Sequence, residues 1–192
     1  MTYRPPPEAD ESLDQLTRDW WVYQLKRGHR FSTDDVVTAW TAGMARPDAR
    51  ALIDIGAGIG SVGLMTLHFM GPEAKSIFVE AQEVSHHLCR KSVEANGLGD
   101  RVELRLGDLR DEAVVPEAGT FDLVTGSPPY TPVDKGVVSP HPQRAACRME
   151  LRGSVFDYCT AAARLLKPDG TFVFVHAAAA PRPEQAVEAA GL

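Results

Sequence analysis

The sequence predicts a Rossmann-like α/β fold, a mostly parallel sheet with helices on both faces. Three observations predict it. Five short apolar runs are interleaved with helical patterns from residue 51 onward, and strands that alternate with helices run parallel with both faces covered. The first run opens into a glycine-rich turn, Asp54-Ile55-Gly56-Ala57-Gly58-Ile59-Gly60. Acidic residues then close the second run and follow the third, at Glu80 and Asp108. Ligands of such sheets bind beyond the carboxyl ends of the strands, so all three features gather at one edge.

Residues 1–12 are Pro-rich and polar and are expected to be a disordered tail. Residues 13–47 form an N-terminal segment. In it, Trp20-Trp21-Val22-Tyr23 reads as a strand or hairpin, and Thr33 caps a helix whose first turn carries Asp34 and Asp35 at the positive end of its dipole. Residues 48–192 form the core. A buried strand over 51–55 leads through the glycine turn into an apolar helix over 62–70. A second strand over 76–80 is followed by a helix over 84–95 that Asn96-Gly97 stops. Strands over 102–106 and 121–125 come next, then a Pro- and Gly-punctuated loop over 127–143. A helix over 154–166 lines up Val155, Tyr158, Cys159, Ala162, Leu165 and Leu166 on one face. Pro168-Asp169-Gly170 turns the chain into a fifth strand over 171–176, and a helix over 184–190 follows.

Composition excludes several classes. With 192 residues, 44% hydrophobic and 24% charged, the chain suits one globular domain. No apolar run is long enough to span a bilayer, and the first residues lack the pattern of a secretory leader. Cys89, Cys147 and Cys159 are odd in number and show no CxxC spacing, which argues against a disulfide framework or a thiolate zinc site. The helical pair His86-His87 lacks a metalloenzyme spacing, so no metal is expected. A cytoplasmic protein is the expectation.

The glycine turn admits two cofactors. Gly58, Gly60 and Gly63 satisfy the GxGxxG spacing of dinucleotide enzymes, with Glu80 at the distance of a ribose-binding acid. Asp54 argues the other way: a carboxylate beside the turn repels a pyrophosphate but suits the methionine ammonium of S-adenosylmethionine. Glu80 accepts from ribose hydroxyls in either case. Asp108, in Leu106-Gly107-Asp108-Leu109, is placed to accept from an adenine amino group. The three together favour S-adenosylmethionine.

The fourth strand opens into Gly126-Ser127-Pro128-Pro129-Tyr130. Two prolines stiffen the loop and turn backbone carbonyls outward. An exocyclic amine or amide nitrogen is a poor nucleophile because its lone pair is delocalised. Acceptors for its protons, here the Ser127 hydroxyl and the Pro128 carbonyl, free that pair, while Tyr130 stacks on a planar acceptor. In-line positioning does the rest, and the chemistry demands neither metal nor general base.

The combination DIGAGIG, FVE, GDL and SPPY resembles class I methyltransferases with an (N/D/S)PP(Y/F) motif, which act on adenine N6, cytosine N4, guanine N2 or glutamine N5. The flanks Asp10–Leu16, Gln24–Asp34 and Arg144–Glu150 look like those of bacterial tRNA adenine-N6 methyltransferases. The resemblance implies a SAM-dependent N-methyltransferase acting on adenine N6 in tRNA. Phe31, Thr33 and Asp35 would lie over the cofactor; Asp54, Gly56, Gly58 and Gly60 around its methionine part; Glu80 and Ala81 at its ribose; Asp108 and Leu109 at its adenine. Ser127, Pro128, Pro129 and Tyr130 would hold the acceptor, with Ser127 also against the cofactor. Other readings stay open: an acceptor such as a protein glutamine or a small-molecule amine, or a SAM-binding module without catalysis.

Two departures matter. Ser127 stands where the adenine-modifying relatives usually carry Asn or Asp. The chain ends one helix after the fifth strand, whereas the family fold adds an antiparallel pair, so the last two strands are expected to be lacking and the fifth to be an edge that homodimerisation would cover. The net charge of −6 means that tRNA must be gripped by local patches: Lys26, Arg27, His29 and Arg30, and His141, Arg144, Arg148 and Arg152. The expected protein is a monomer or homodimer without membrane contact.

Overall fold

The computed structural model describes residues 3–132, 134, 138–177 and 181–192. The chain opens with an antiparallel hairpin, β1 (Glu11–Gln15) and β2 (Trp21–Leu25). It continues through α1 (Thr33–Ala45), β3 (Ala51–Ile55), α2 (Ser61–Phe69), β4 (Lys75–Glu80), α3 (Glu83–Ala95), β5 (Val102–Leu106) and β6 (Phe121–Gly126). Then come α4 (Pro142–Arg148), α5 (Val155–Leu165), β7 (Leu166–Phe174) and α6 (Arg182–Ala190).

Strands β3 to β7 form one sheet in the order β5-β4-β3-β6-β7, and every pair is parallel. The Rossmann-like α/β class is therefore confirmed. Successive side chains of a strand face opposite ways, and this sorts the core into two layers. Leu52, Phe78 and Leu123 meet Ala42 of α1, Leu64 and Leu67 of α2 and Val93 of α3 on one face. Ile53, Ile55, Val79 and Val124 meet Tyr158, Ala162 and Leu165 of α5 on the other. Helix α6 packs behind α5 through Ala186 against Val155 and Cys159. The chain leaves β3 toward β4 on one side and returns to β6 on the other, so the crevice at the carboxyl ends of β3 and β6 is the topological switch point, where such folds bind ligands.

Four expectations change. The tail expected over 1–12 is shorter, because β1 begins at Glu11. The Tyr23 hydroxyl donates to the Pro5 carbonyl, and buried Glu11 pairs with Lys91 of α3. A Pro-rich segment lacks amide donors yet still docks through its carbonyls and carboxylates. The α1 cap is Ser32 rather than Thr33, in a capping box where Asp35 Oδ2 accepts from the Ser32 N–H (2.8 Å). Strand β7 starts at Leu166 rather than 171; Phe121 pairs with Leu166 and Leu123 with Thr171, so the Pro168–Gly170 turn is accommodated as an irregularity in the ladder. The loop over 127–143 gives way to α4 at Pro142, a residue suited to a first helical position; its positions 133 and 135–137 lie outside the described residues. The aromatic stretch enters β2 and packs: Tyr23 is fully buried and Trp20 stands edge-on to His68.

Candidate cofactor and acceptor site

The glycine turn between β3 and α2 needs its glycines. Gly56 has φ +66°, and a Cβ there would lie 2.0 Å from the Tyr158 hydroxyl. Gly60, at φ +86°, is the left-handed N-cap of α2. Asp54, at the end of β3, is 1% exposed. Its Oδ1 accepts from the Thr125 hydroxyl (2.8 Å) and its Oδ2 from the Gly63 N–H (2.9 Å), which ties β3 to β6 and to the first turn of α2. Burial pushes its carboxyl up to about 7.

Glu80 closes β4 and braces the turn from the far side. Its Oε2 accepts from the Gly58 N–H (2.7 Å) and its Oε1 from the Gln82 N–H (2.6 Å). Burial raises its carboxyl above the usual range. Asp108 differs: Arg110 holds it through its own N–H, Nε and Nη2 at 2.6–2.9 Å, and this bonding keeps the carboxyl below the usual range. Its partner Arg110, two residues on, was not singled out from the sequence.

These groups line one groove. It brings together Asp35, Asp54, Gly56, Gly58, Glu80, Ala81, Asp108, Leu109, Ser127 and Pro129. A second, adjoining pocket holds Pro128 and Tyr130, beside Asp34, Arg144 and Arg148. Four residues border both: His29, Asp35, Ser127 and Cys147. Three expected cofactor residues are not brought in. Phe31 packs against the cluster around Val22 and Tyr23, Thr33 is an exposed first residue of α1, and Gly60 serves as a helix cap. Among the lining residues that the motifs missed are Tyr158, His29, Cys147 and Arg152.

The acceptor pocket is polar on one side and aromatic on the other. The Tyr130 hydroxyl donates to Asp34 Oδ2 (3.1 Å) and its ring lies 5.1 Å from that of His176. Burial, with Asp34 adding, raises the Tyr130 phenol well above its usual value. Ser127 Oγ is buried without a hydrogen-bond partner among the described residues, at the junction where an incoming group would meet it. Of the residues read as surface cations, Arg152 instead donates to the Ala81 carbonyl (2.5 Å) within the first groove. Glu8, Glu11 and His87 bring ligand atoms within 4.8 Å of one another, but Lys91 pairs with both carboxylates, so the cluster is a salt bridge.

The lining of the first groove decides between the two cofactors. Its carboxylates, Asp35, Asp54, Glu80 and Asp108, face one guanidinium, Arg152. A pyrophosphate would be repelled by that set. A ligand with ribose hydroxyls, an ammonium and a sulfonium is matched by it, so the residues present fit S-adenosylmethionine.

Sheet order, switch-point groove and acidic strand ends define a Rossmann-like class I methyltransferase domain. The chain belongs to the methyltransferase small domain family, whose model matches residues 33–189. It is 28% identical over 167 residues to a tRNA1(Val) (adenine(37)-N6)-methyltransferase of Phocaeicola vulgatus, covering 86% of this chain and 65% of the relative. It is 31% identical over 135 residues to a 4-amino-L-phenylalanine/4-methylamino-L-phenylalanine methyltransferase of Streptomyces pristinaespiralis, covering 67% and 44%. The structure of a geranyl diphosphate C-methyltransferase from Streptomyces coelicolor superposes with a TM-score of 0.52 at 17% identity, over 74% of this chain and 46% of that one. The chain thus spans less than two thirds of the length of each of these proteins.

Proposed function

We propose that this domain transfers the methyl group of S-adenosylmethionine to an exocyclic amine, and that its acceptor is adenine N6 in tRNA. The observation that carries the proposal is the orphaned Ser127 hydroxyl at the junction of the two pockets. A buried hydroxyl without a partner costs about 1–3 kcal/mol, and an acceptor's amino proton would satisfy it. The bound cofactor supplies an electrophilic methyl. The protein's part is to hold the cofactor with Asp54, Glu80 and Asp108, and to fix the amine with Ser127, the Pro128 carbonyl and the Tyr130 ring.

The tRNA reading draws support from the rim. Arg144 of α4 donates to the carbonyls of Arg27 (3.0 Å) and Gly28 (3.1 Å), so the two basic stretches read from the sequence meet beside the acceptor pocket. Arg30, Arg144 and Arg148 line it, a local cationic surface on a chain of net charge −6. A base in a single-stranded loop is splayed out at little cost, which suits recognition in a side pocket. No helix of the described residues is long and apolar enough to cross a membrane, and a tRNA substrate would place the protein in the cytoplasm.

A second reading has its own support. Asp34 and Asp35 face Arg144 and Arg148 in the same pocket, a pairing that suits the ammonium and carboxylate of an amino acid bearing an aromatic amine. Incubation with methyl-labelled S-adenosylmethionine separates the two. Unmodified tRNA, a protein extract and 4-aminophenylalanine are the acceptors. Label in N6-methyladenosine is the expected result. Label only in the amino acid or in protein would overturn the tRNA assignment.

Asp108→Ala gives a smaller effect. Arg110 competes for the carboxylate, so loss of the adenine contact is expected to weaken cofactor binding by about tenfold, one hydrogen bond's worth. Unchanged affinity in calorimetry would remove Asp108 from the cofactor site.

A further inference from the structure

We propose that His29 is the catalytic proton acceptor of the transfer, taking the proton that the methylated amine must shed. This rests on the methyl-transfer reading above. Four residues border both pockets, and the reacting nitrogen must sit where the pockets meet. Asp35 has both oxygens engaged: Oδ1 accepts from the Ser61 hydroxyl (2.7 Å), and Oδ2 from the Ser32 N–H (2.8 Å) and hydroxyl (3.0 Å). Ser127 offers a hydroxyl, which is no base. Burial pushes the Cys147 thiol up to about 11, and Gln82 Nε2 donates to its sulfur (3.4 Å). The neutral imidazole of His29 is a base, and its ring makes no hydrogen bond among the described residues.

Its backbone is held from both sides, as a catalytic group requires. The His29 N–H donates to Gln143 Oε1 (3.0 Å), and Gln143, 2% exposed, donates in turn to Ser85 Oγ of α3 (3.1 Å). A Cβ at Gly28 would meet Gln143 Oε1 at 2.1 Å, so glycine is what lets the turn approach that clamp. Two residues on, the Phe31 N–H donates to Gln24 Oε1 (3.1 Å). The turn carrying His29 is therefore pinned to β2, α3 and α4.

Burial, first of all, lowers the basicity of the ring; Asp35 of α1 opposes it, and Arg148 and Arg144 of α4 lower it further. Cys147 borders it between the pockets, Asp54, Glu80 and Arg152 lie across the first, and Arg30, Asp34 and Tyr130 across the second. A neutral imidazole has the free pair that a cation lacks. Transfer forms an N–C bond, breaks the C–S bond with its pair left on sulfur, and leaves the nitrogen one proton in excess. That proton passes to the free ring nitrogen of His29 and then to solvent through the open acceptor pocket. His29 thus leaves the set of RNA-gripping cations in which the sequence placed it, and supplies a base that the sequence reading did not call for.

The test compares wild type with His29→Gln and His29→Ala on the acceptor that the labelling experiment identifies. S-adenosylhomocysteine affinity is measured by calorimetry, and the imidazole titration is followed by NMR in the cofactor-free protein. Expected are a kcat lower by about a hundredfold, unchanged S-adenosylhomocysteine affinity, and loss of the acidic limb of the kcat profile. Below its titration point the protonated ring accepts nothing, so wild-type rate must fall as pH falls, along the same curve that NMR reports. Added imidazole is expected to restore part of the His29→Ala rate. Retention of the acidic limb in either variant, or equal loss of rate and cofactor affinity, would overturn the proposal. Failure of wild type to label any acceptor would instead overturn the methyl-transfer reading, and this role with it.

Discussion

Glu80→Ala is expected to lower the affinity for S-adenosylmethionine on the order of a thousandfold. Two effects add. The carboxylate is the acceptor for two ribose hydroxyls in the proposed complex, and bonds to a charged group are worth about 1.5–3 kcal/mol each. The same oxygens hold the Gly58 and Gln82 N–H groups, so removal also frees the turn that shapes the groove. Glu80→Gln separates the two. An amide oxygen keeps one backbone bond, but the NH2 group confronts the other N–H, and the charge on the ribose is lost. Its affinity is expected to fall between those of wild type and Ala. Calorimetry with S-adenosylhomocysteine measures all three; a Glu80→Ala variant within fivefold of wild type would exclude Glu80 from the cofactor site.

The five core strands and the cofactor turn were legible because their signals are local. A glycine forced to φ +66° at position 56 and an acid closing the next strand at position 80 lie within one crossover, and the backbone itself delivers them to the same edge. What reached the groove from farther away was not legible. Tyr158 shows the reason: helical spacing reads it as core, and it is core, 7% exposed among Val124 and Leu165. Only the closeness of Gly56 to its hydroxyl makes it a groove residue as well. His29 and Arg152 were misread for the opposite reason. Each belongs to a cationic run, and nothing in a run of charges says which member turns inward. Gln143 had no signal at all, since its role depends on contacts to residues 29 and 85 that only the tertiary fold brings together. Phe31 and Thr33 were carried over from a resemblance, and the packing of the hairpin against α3 took Phe31 elsewhere.

Asp54→Asn is expected to stabilise the cofactor-free protein above neutral pH and, in the same variant, to weaken cofactor binding. The wild-type carboxyl titrates near 3.8 in an unfolded chain and at about 7 when folded. Below about pH 4 both states are protonated and the group costs nothing. As pH rises, the unfolded chain ionises first, so stability falls through the interval and levels off above about 7. The whole loss is at most about 4 kcal/mol, at roughly 1.4 kcal/mol per pH unit. Asn fits the same two partners without the charge: its oxygen accepts from Gly63, and its NH2 donates to the Thr125 hydroxyl, reversing that bond. Thermal unfolding between pH 4.5 and 8 is therefore expected to show a falling curve for wild type and a flatter one for Asp54→Asn, with the variant higher by roughly 10 °C at pH 8. Parallel curves would mean that Asp54 is ionised and already compensated. The cofactor reverses the balance. An ammonium beside the groove end of β3 supplies the charge that the buried carboxylate lacks, so wild-type affinity is expected to rise with pH through 7 while that of Asp54→Asn stays low and flat. The instability of Asp54 in the empty protein is, on this account, what draws the cofactor's cationic end to the switch point.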